Sequence, residues 1–210
     1  MSYRFRHAIC NEAFEKFPFP DACHAIRKAG YEGIEIAPFT LAEDPSTIPA
    51  SQRREYRSII QSEGLRFVGL HWLMVSPKGL HVTTPDTALR TQSWQHIRNL
   101  VDLCADLGPG GVMVFGSPNQ RATTGGLTRE QATRHYVDGL ASVAPHAVEH
   151  GTHTWAVDLT HDGGGLLERL HDVALAFGER FHKNGDSTPG GVWRDRSQPF
   201  DIVPRGLLSR

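Results

Sequence analysis

The sequence predicts an α/β fold in which parallel strands alternate with helices. Two observations carry this reading. Short apolar runs, each ended by Gly or a polar residue, are followed by longer stretches with helical spacing of the apolar positions. The apolar runs begin near residues 3, 33, 65, 111 and 154, far enough apart for a helix to cross back between successive parallel strands.

Taken in order, Tyr3 to Ile9 reads as the first strand, and Asp21 to Ala29 as a helix closed by Gly30. Gly33 to Ala37 is the second strand. Ser51 to Glu63 is the second helix, with Tyr56, Ile59 and Ile60 on one face and Gly64 at its end. Leu65 to Leu70 is the third strand. Pro85 to Leu107 is a long helix presenting Trp94, Ile97, Val101 and Cys104 together, stopped by Gly108. Val112 to Phe115 is the fourth strand. Thr128 to His150 is a helix with Thr128 as N-cap and Glu130 or Gln131 close behind. Thr154 to Leu159 is the fifth strand, and Gly165 to Phe177 a fifth helix. Beyond it, His182 to Arg210 is rich in Gly, Pro and charge, with only Phe200 to Val203 resembling a strand; this reads as loop or disorder. The expected division is one domain over 1–181 and an irregular tail over 182–210.

The alternation leaves two architectures open, a doubly wound open sheet or a (β/α)8 barrel. A complete barrel uses about 250 residues, and the residues after Phe177 are too few for three more strand–helix units. The expectation is therefore an open sheet or an incomplete barrel of about five units.

Composition excludes several classes of function. The formal net charge of the 210-residue chain is −1, which leaves no basic footprint for nucleic acid and no polybasic membrane signal. No apolar run approaches the roughly 20 residues of a membrane span, and Met1 to His7 has no apolar stretch behind it, so no signal peptide is expected. The three cysteines, Cys10, Cys23 and Cys104, are odd in number and widely spaced. Reduced thiols in a cytoplasmic protein are the expectation.

Four segments resemble the sugar phosphate isomerase/epimerase family of xylose isomerase-like barrels. They are Ile9-Cys10-Asn11-Glu12; Ala29-Gly30-Tyr31-Glu32-Gly33-Ile34-Glu35-Ile36-Ala37-Pro38-Phe39; Gly69-Leu70-His71-Trp72-Leu73; and Val112-Met113-Val114-Phe115-Gly116-Ser117-Pro118. The resemblance runs over about residues 4 to 150. It implies a (β/α)8 TIM-barrel type fold, incomplete here, and metal-assisted isomerisation or epimerisation of a small sugar or sugar phosphate. It also implies a divalent ion, Mn²⁺ or Mg²⁺, at the C-terminal ends of the strands. In the family the fifth strand ends in a glutamate that ligates the metal and often moves the proton. The nearest counterpart here is Asp158, which becomes the candidate for both roles, with His161 and Asp162 close behind. Asp is one methylene shorter than that glutamate. The later ligands of the family find no counterpart, and from Gly163 the likeness lapses; a truncation or an altered reading frame after Gly151 is the expectation.

Other candidates follow from strand ends. Glu35 alternates with Ile34 and Ile36, so it points away from them; it is either a sugar-hydroxyl ligand or a salt-bridged rim residue. His71 ends the third strand, where an imidazole serves a substrate contact or a hydrogen-bonded wall. Trp72 and Phe39 offer apolar walls to a sugar ring or pack under loops. Asn11 and Glu12 follow the first strand and line the same mouth or cap a loop. Lys78 and His81 lie in the next loop, within reach of a phosphate, although a solvated loop is the simpler reading. Zinc spacings, a Walker motif and a GxSxG elbow are all missing. Apurinic endonucleases of the same superfamily place a further His on the fourth strand; here that strand ends Phe115-Gly116-Ser117. A non-catalytic carbohydrate-binding or remnant half-barrel is the main alternative. Unpaired sheet edges would favour a homo-oligomer.

Overall fold

A computed structural model describes residues 6–155, and every structural statement below concerns them. Five strands form one parallel sheet in the order β1-β2-β3-β4-β5. They are β1 (Ala8–Cys10), β2 (Gly33–Ile36), β3 (Arg66–Leu70), β4 (Val112–Val114) and β5 (His153–Trp155). Between them run α1 (Phe19–Lys28), α2 (Ala50–Ser62), α3 (Thr87–Leu107) and α4 (Arg129–Glu149). Sequential neighbours pairing in parallel, each through a helix, is the curling order of a TIM barrel rather than a doubly wound sheet, in which the order reverses.

The helices form because each offers one apolar stripe to the sheet. Cys23 and Ile26 of α1, Ile60 of α2, and Ile97, Val101 and Cys104 of α3 are buried against Ile34, Ile36, Leu70 and Met113. On α4 the stripe is Tyr136, Leu140, Val143 and Ala147. Each fully buried aliphatic side chain stabilises the fold by about 1.5–3 kcal/mol relative to exposure. Among the described residues no helix is long and apolar enough to cross a membrane. The three cysteines are free thiols, Cys23 and Cys104 buried and Cys10 half-buried.

Boundaries shift where capping decides them. α1 starts at Phe19, two residues before the expected Asp21, because Pro20 sits in the first turn, where no amide donor is needed. α3 starts at Thr87 rather than Pro85: the Asp86 carboxylate caps it by accepting from the Leu89 amide at 3.0 Å. α4 carries the expected cap as a reciprocal box. Thr128 Oγ1 accepts from the Gln131 amide at 3.3 Å, and Gln131 Oε1 accepts from the Thr128 amide at 2.8 Å. The expected first strand from Tyr3 is seen as Ala8–Cys10, its first residues lying outside the described part. The expected fifth strand is described only as His153–Trp155. Its continuation to Leu159, the helix Gly165 to Phe177 and the tail lie outside the described residues.

The β2–β3 pairing contains a register shift: Ile34 faces Phe67, but Glu35 faces Gly69. One extra residue on β3 bends that strand near its C-terminal end. The bend immediately precedes His71 and Trp72.

Candidate functional site

The C-terminal ends of β1, β2 and β3 bring four polar side chains together. Glu35 lies on the strand face opposite Ile34 and Ile36, which are fully buried in the helix-facing core; the alternation read from the sequence thus sends its carboxylate to the barrel interior. His71 follows β3 directly. Its Nδ1 lies 3.1 Å from Glu35 Oε2, and its Nε2 lies 3.9 Å from Glu12 Oε2. The imidazole is held between two carboxylates, Glu35 on β2 and Glu12 in the turn just after β1. With Nδ1–H donating to Glu35, Nε2 faces the Glu12 side of the mouth. Both partners of the short contact are about a quarter to a third exposed, so the pair is open to solute.

Trp72 stands beside His71 with ring centroids 5.1 Å apart and planes inclined at 62°. It is 38% exposed, unusual for so large an apolar side chain. Its backbone has φ +57°, the left-handed region that a bulky residue enters at a cost of about 1–3 kcal/mol. The next two residues, Leu73 and Met74, are buried, and His96 Nε2 of α3 meets the Leu73 carbonyl at 3.0 Å. That anchoring keeps Trp72 turned out at the rim.

Asn11 is buried, and both ends of its amide are engaged. Its Oδ1 accepts from the Ala37 amide at 2.8 Å and its Nδ2 donates to Thr40 Oγ1 at 2.7 Å. It ties the end of β1 to the segment after β2. Cys10 sits under the same mouth. Burial first, then the Glu35 and Glu12 carboxylates, push its thiol up to about 12, so it stays protonated and is no nucleophile near neutrality. Phe39 is half-buried and Lys78 exposed. His81 Nδ1 lies 3.4 Å from the Thr83 hydroxyl oxygen, whose proton goes to the Ala122 carbonyl, and burial holds the ring below the ordinary histidine range. The structure places neither Lys78 nor His81 in contact with the Glu35–His71 pair.

The structure thus brings Glu35, His71 and Trp72 together, with Asn11 beneath them. Glu12 was expected only as a residue near the mouth; it proves to be the second carboxylate at His71. Cys10 was not expected there at all. The signal available for both was their place at the end of β1, within Cys10-Asn11-Glu12. Asp158, His161 and Asp162 lie outside the described residues.

Residues 23–179 match the family described as the xylose isomerase-like TIM barrel, which is most of the chain. The chain belongs to that family. No curated protein sequence matches. Among solved structures, a D-psicose 3-epimerase crystallised with D-fructose is similar at TM-score 0.61 and 14% identity, over 80% of this chain and 60% of that one. D-Psicose 3-epimerase from Clostridium cellulolyticum H10, with D-tagatose, is similar at TM-score 0.59 and 15% identity, over 82% and 60%. The apo 3-keto-D-glucoside 4-epimerase of E. coli is similar at TM-score 0.57 and 16% identity, over 83% and 65%. At these identities the likeness is one of fold, and this xylose isomerase-like chain spans about 60% of the length of the first of these.

A xylose isomerase-like barrel of this kind implies a divalent ion, and the described mouth can be tested for it. Cys10, Glu35 and His71 offer ligand atoms that all lie within 4.8 Å of one another. Mn²⁺ and Mg²⁺ take shells rich in oxygen. Here one donor is a thiol held protonated, one is an imidazole, and the Glu35 carboxylate is already occupied by His71. These three residues do not fit such an ion by themselves. They fit recognition of neutral hydroxyls, for which a carboxylate acceptor beside an imidazole is well matched.

Proposed function

We propose that this chain binds a small sugar or sugar phosphate at the strand ends and belongs to a sugar isomerase or ketose epimerase that moves a proton next to the sugar carbonyl. The observation that carries the reading is the Glu35–His71 pair at adjacent strand ends, 3.1 Å apart, beside an outward-turned Trp72, in a chain of the xylose isomerase-like family. That the solved structures of like fold include epimerases crystallised with D-fructose and D-tagatose supports a ketose as the substrate class.

In this reading the Glu35 carboxylate fixes the His71 ring and accepts a sugar hydroxyl on its remaining lone pairs. His71 Nε2 exchanges a hydrogen bond with a second hydroxyl, and Glu12 limits where that hydroxyl sits. Trp72 covers the C–H face of the ring and excludes water from it. Asn11 positions the β1 and β2 ends and touches substrate least, since its amide is engaged on both sides. Asp158 is the proposed acid/base and the proposed metal carboxylate. A Mn²⁺ or Mg²⁺ ion held there would polarise the substrate oxygens and acidify the carbon beside the carbonyl. The reading also keeps 1–181 as the barrel part and 182–210 as a tail, in line with the family match ending at residue 179.

The test is calorimetric titration of D-fructose and D-psicose into the chain, with and without Mn²⁺. A Glu35→Gln variant removes a charge-assisted acceptor contributing about 1.5–3 kcal/mol, so binding weakens about tenfold or more. Asp158→Ala abolishes Mn²⁺ binding and any turnover. Ketose binding without turnover in the presence of Mn²⁺ would favour the carbohydrate-binding alternative. A folded chain that binds neither sugar refutes the proposal.

A further inference from the structure

The outer helix layer holds a second constellation. His146, in the last turn of α4, and His150, its C-cap, lie four residues apart, so both side chains leave that helix end on one face. That face meets Asp102 of α3. Asp102 Oδ1 is 2.6 Å from His146 Nε2 and 3.6 Å from His150 Nε2. The two rings lie 4.2 Å apart. One atom from each residue falls within 4.8 Å of the other two.

The orientation of the His150 ring is decided by its other nitrogen. Nδ1 lies 2.9 Å from the His146 carbonyl oxygen, to which it donates its proton. In the neutral ring this leaves Nε2 as a bare lone pair, turned toward a carboxylate oxygen 3.6 Å away. Two electron-rich atoms face each other across that gap, an arrangement that calls for a cation between them. A ring N–H given to a backbone carbonyl is also how metal-bound histidines are held in place.

The setting favours positive charge twice more. His150 caps the C-terminus of α4, where the helix carbonyls carry partial negative charge. His146 is only 11% exposed and His150 37%, so the position is sheltered on one side and open to entry on the other. Tetrahedral ligands about 2.0–2.2 Å from an ion lie roughly 3.3 Å apart. The present spacings of 2.6 and 3.6 Å bracket that value.

We propose that Asp102, His146 and His150 form a divalent transition-metal site, with water completing the shell, that clasps the end of α4 to α3. Two imidazoles and one carboxylate suit a borderline ion of the Zn²⁺ class rather than Mg²⁺ or Ca²⁺. Helices return against the strand direction, so this site lies toward the end of the barrel opposite the sugar mouth. It shares no residue with the Glu35–His71 pair, and it stands or falls independently of the proposed activity.

The test uses the full chain with Zn²⁺ alone as the titrant, and Co²⁺ as a spectroscopic stand-in. In an Asp158→Ala background, which removes the proposed metal position at the sugar mouth, one equivalent should bind, and Co²⁺ should show visible absorption of a low-coordinate nitrogen–oxygen shell. His150→Ala and Asp102→Asn should each weaken that binding tenfold or more and remove the rise in melting temperature on adding Zn²⁺, while circular dichroism without metal stays unchanged. His71→Ala should leave the binding intact. The proposal is overturned if the folded chain binds no Zn²⁺, if both variants bind it as tightly as the parent, or if His71→Ala is the change that abolishes it.

Discussion

His96 couples the interior of α3 to the rim. It is 4% exposed, donates from Nε2 to the Leu73 carbonyl, and keeps Nδ1 3.8 Å from Asp44. Burial lowers its affinity for a proton below that of an ordinary histidine, only partly offset by the Leu73 carbonyl and Asp44. His81 is shifted the same way. The unfolded chain then binds the proton first as pH falls, so stability is fully present above about pH 6.5 and lost progressively below it. The urea midpoint should fall between about pH 7.5 and 5.5, and His96→Gln should flatten that dependence while keeping a donor for Leu73. A midpoint that does not move with pH would mean these rings stay hydrated. His96→Phe leaves the carbonyl unpaired and should cost about 1–3 kcal/mol. Asn11→Ala should cost a similar amount, by orphaning the Ala37 amide. At this scale the sequence disclosed directions but not partners. Alternation with Ile34 and Ile36 sent Glu35 inward, yet its meeting with His71 depends on strand register, which a bulge near Val68 resets. The His146–His150 pair drew no reading from the sequence, because its third member sits 44 residues earlier and only the packing of α4 on α3 joins them.

Between elements, α4 approaches α3 closely at Gly139. Gly139 lies against Trp94, and a Cβ there would collide with the indole ring. Trp94 cannot retreat easily: its Nε1 donates to the Val82 carbonyl at 3.2 Å, and its ring stacks near Phe115 and Tyr136. Gly139→Ala should therefore destabilise by about 1–3 kcal/mol, against the gain of up to about 1 kcal/mol that removing a helix-interior glycine would bring elsewhere. Thermal denaturation of the variant checks the sign; an increase in melting temperature would show the two helices free to part. Thr128→Ala should cost about 1 kcal/mol through the lost cap. The four helices were legible because each buries a periodic stripe, and Thr128 as a cap because the Thr-x-x-Gln pattern is local. The start of α3 was misplaced at Pro85 because Asp86 is the better cap. The β3 bulge had no local signature, since it arises from fitting β3 to β2.

For the molecule as a whole, the decisive feature is how the sheet ends. Among the described residues β1 pairs with β2 alone and β5 with β4 alone. A barrel of eight strands leaves no such edges, because every strand has two neighbours. The β1 edge is short, and Ile9 beside it is only partly buried. Unpaired amides and carbonyls next to apolar side chains are the condition under which strands recruit another chain. A second copy presents the same edge, so self-association is the expected consequence for the 210-residue chain. The concentration dependence of its mass by light scattering separates the cases. A mass that rises with concentration would support edge pairing, and Ile9→Lys, which places a charge on that edge, should shift the balance back toward monomer. A stable monomer at every concentration would refute edge pairing between copies.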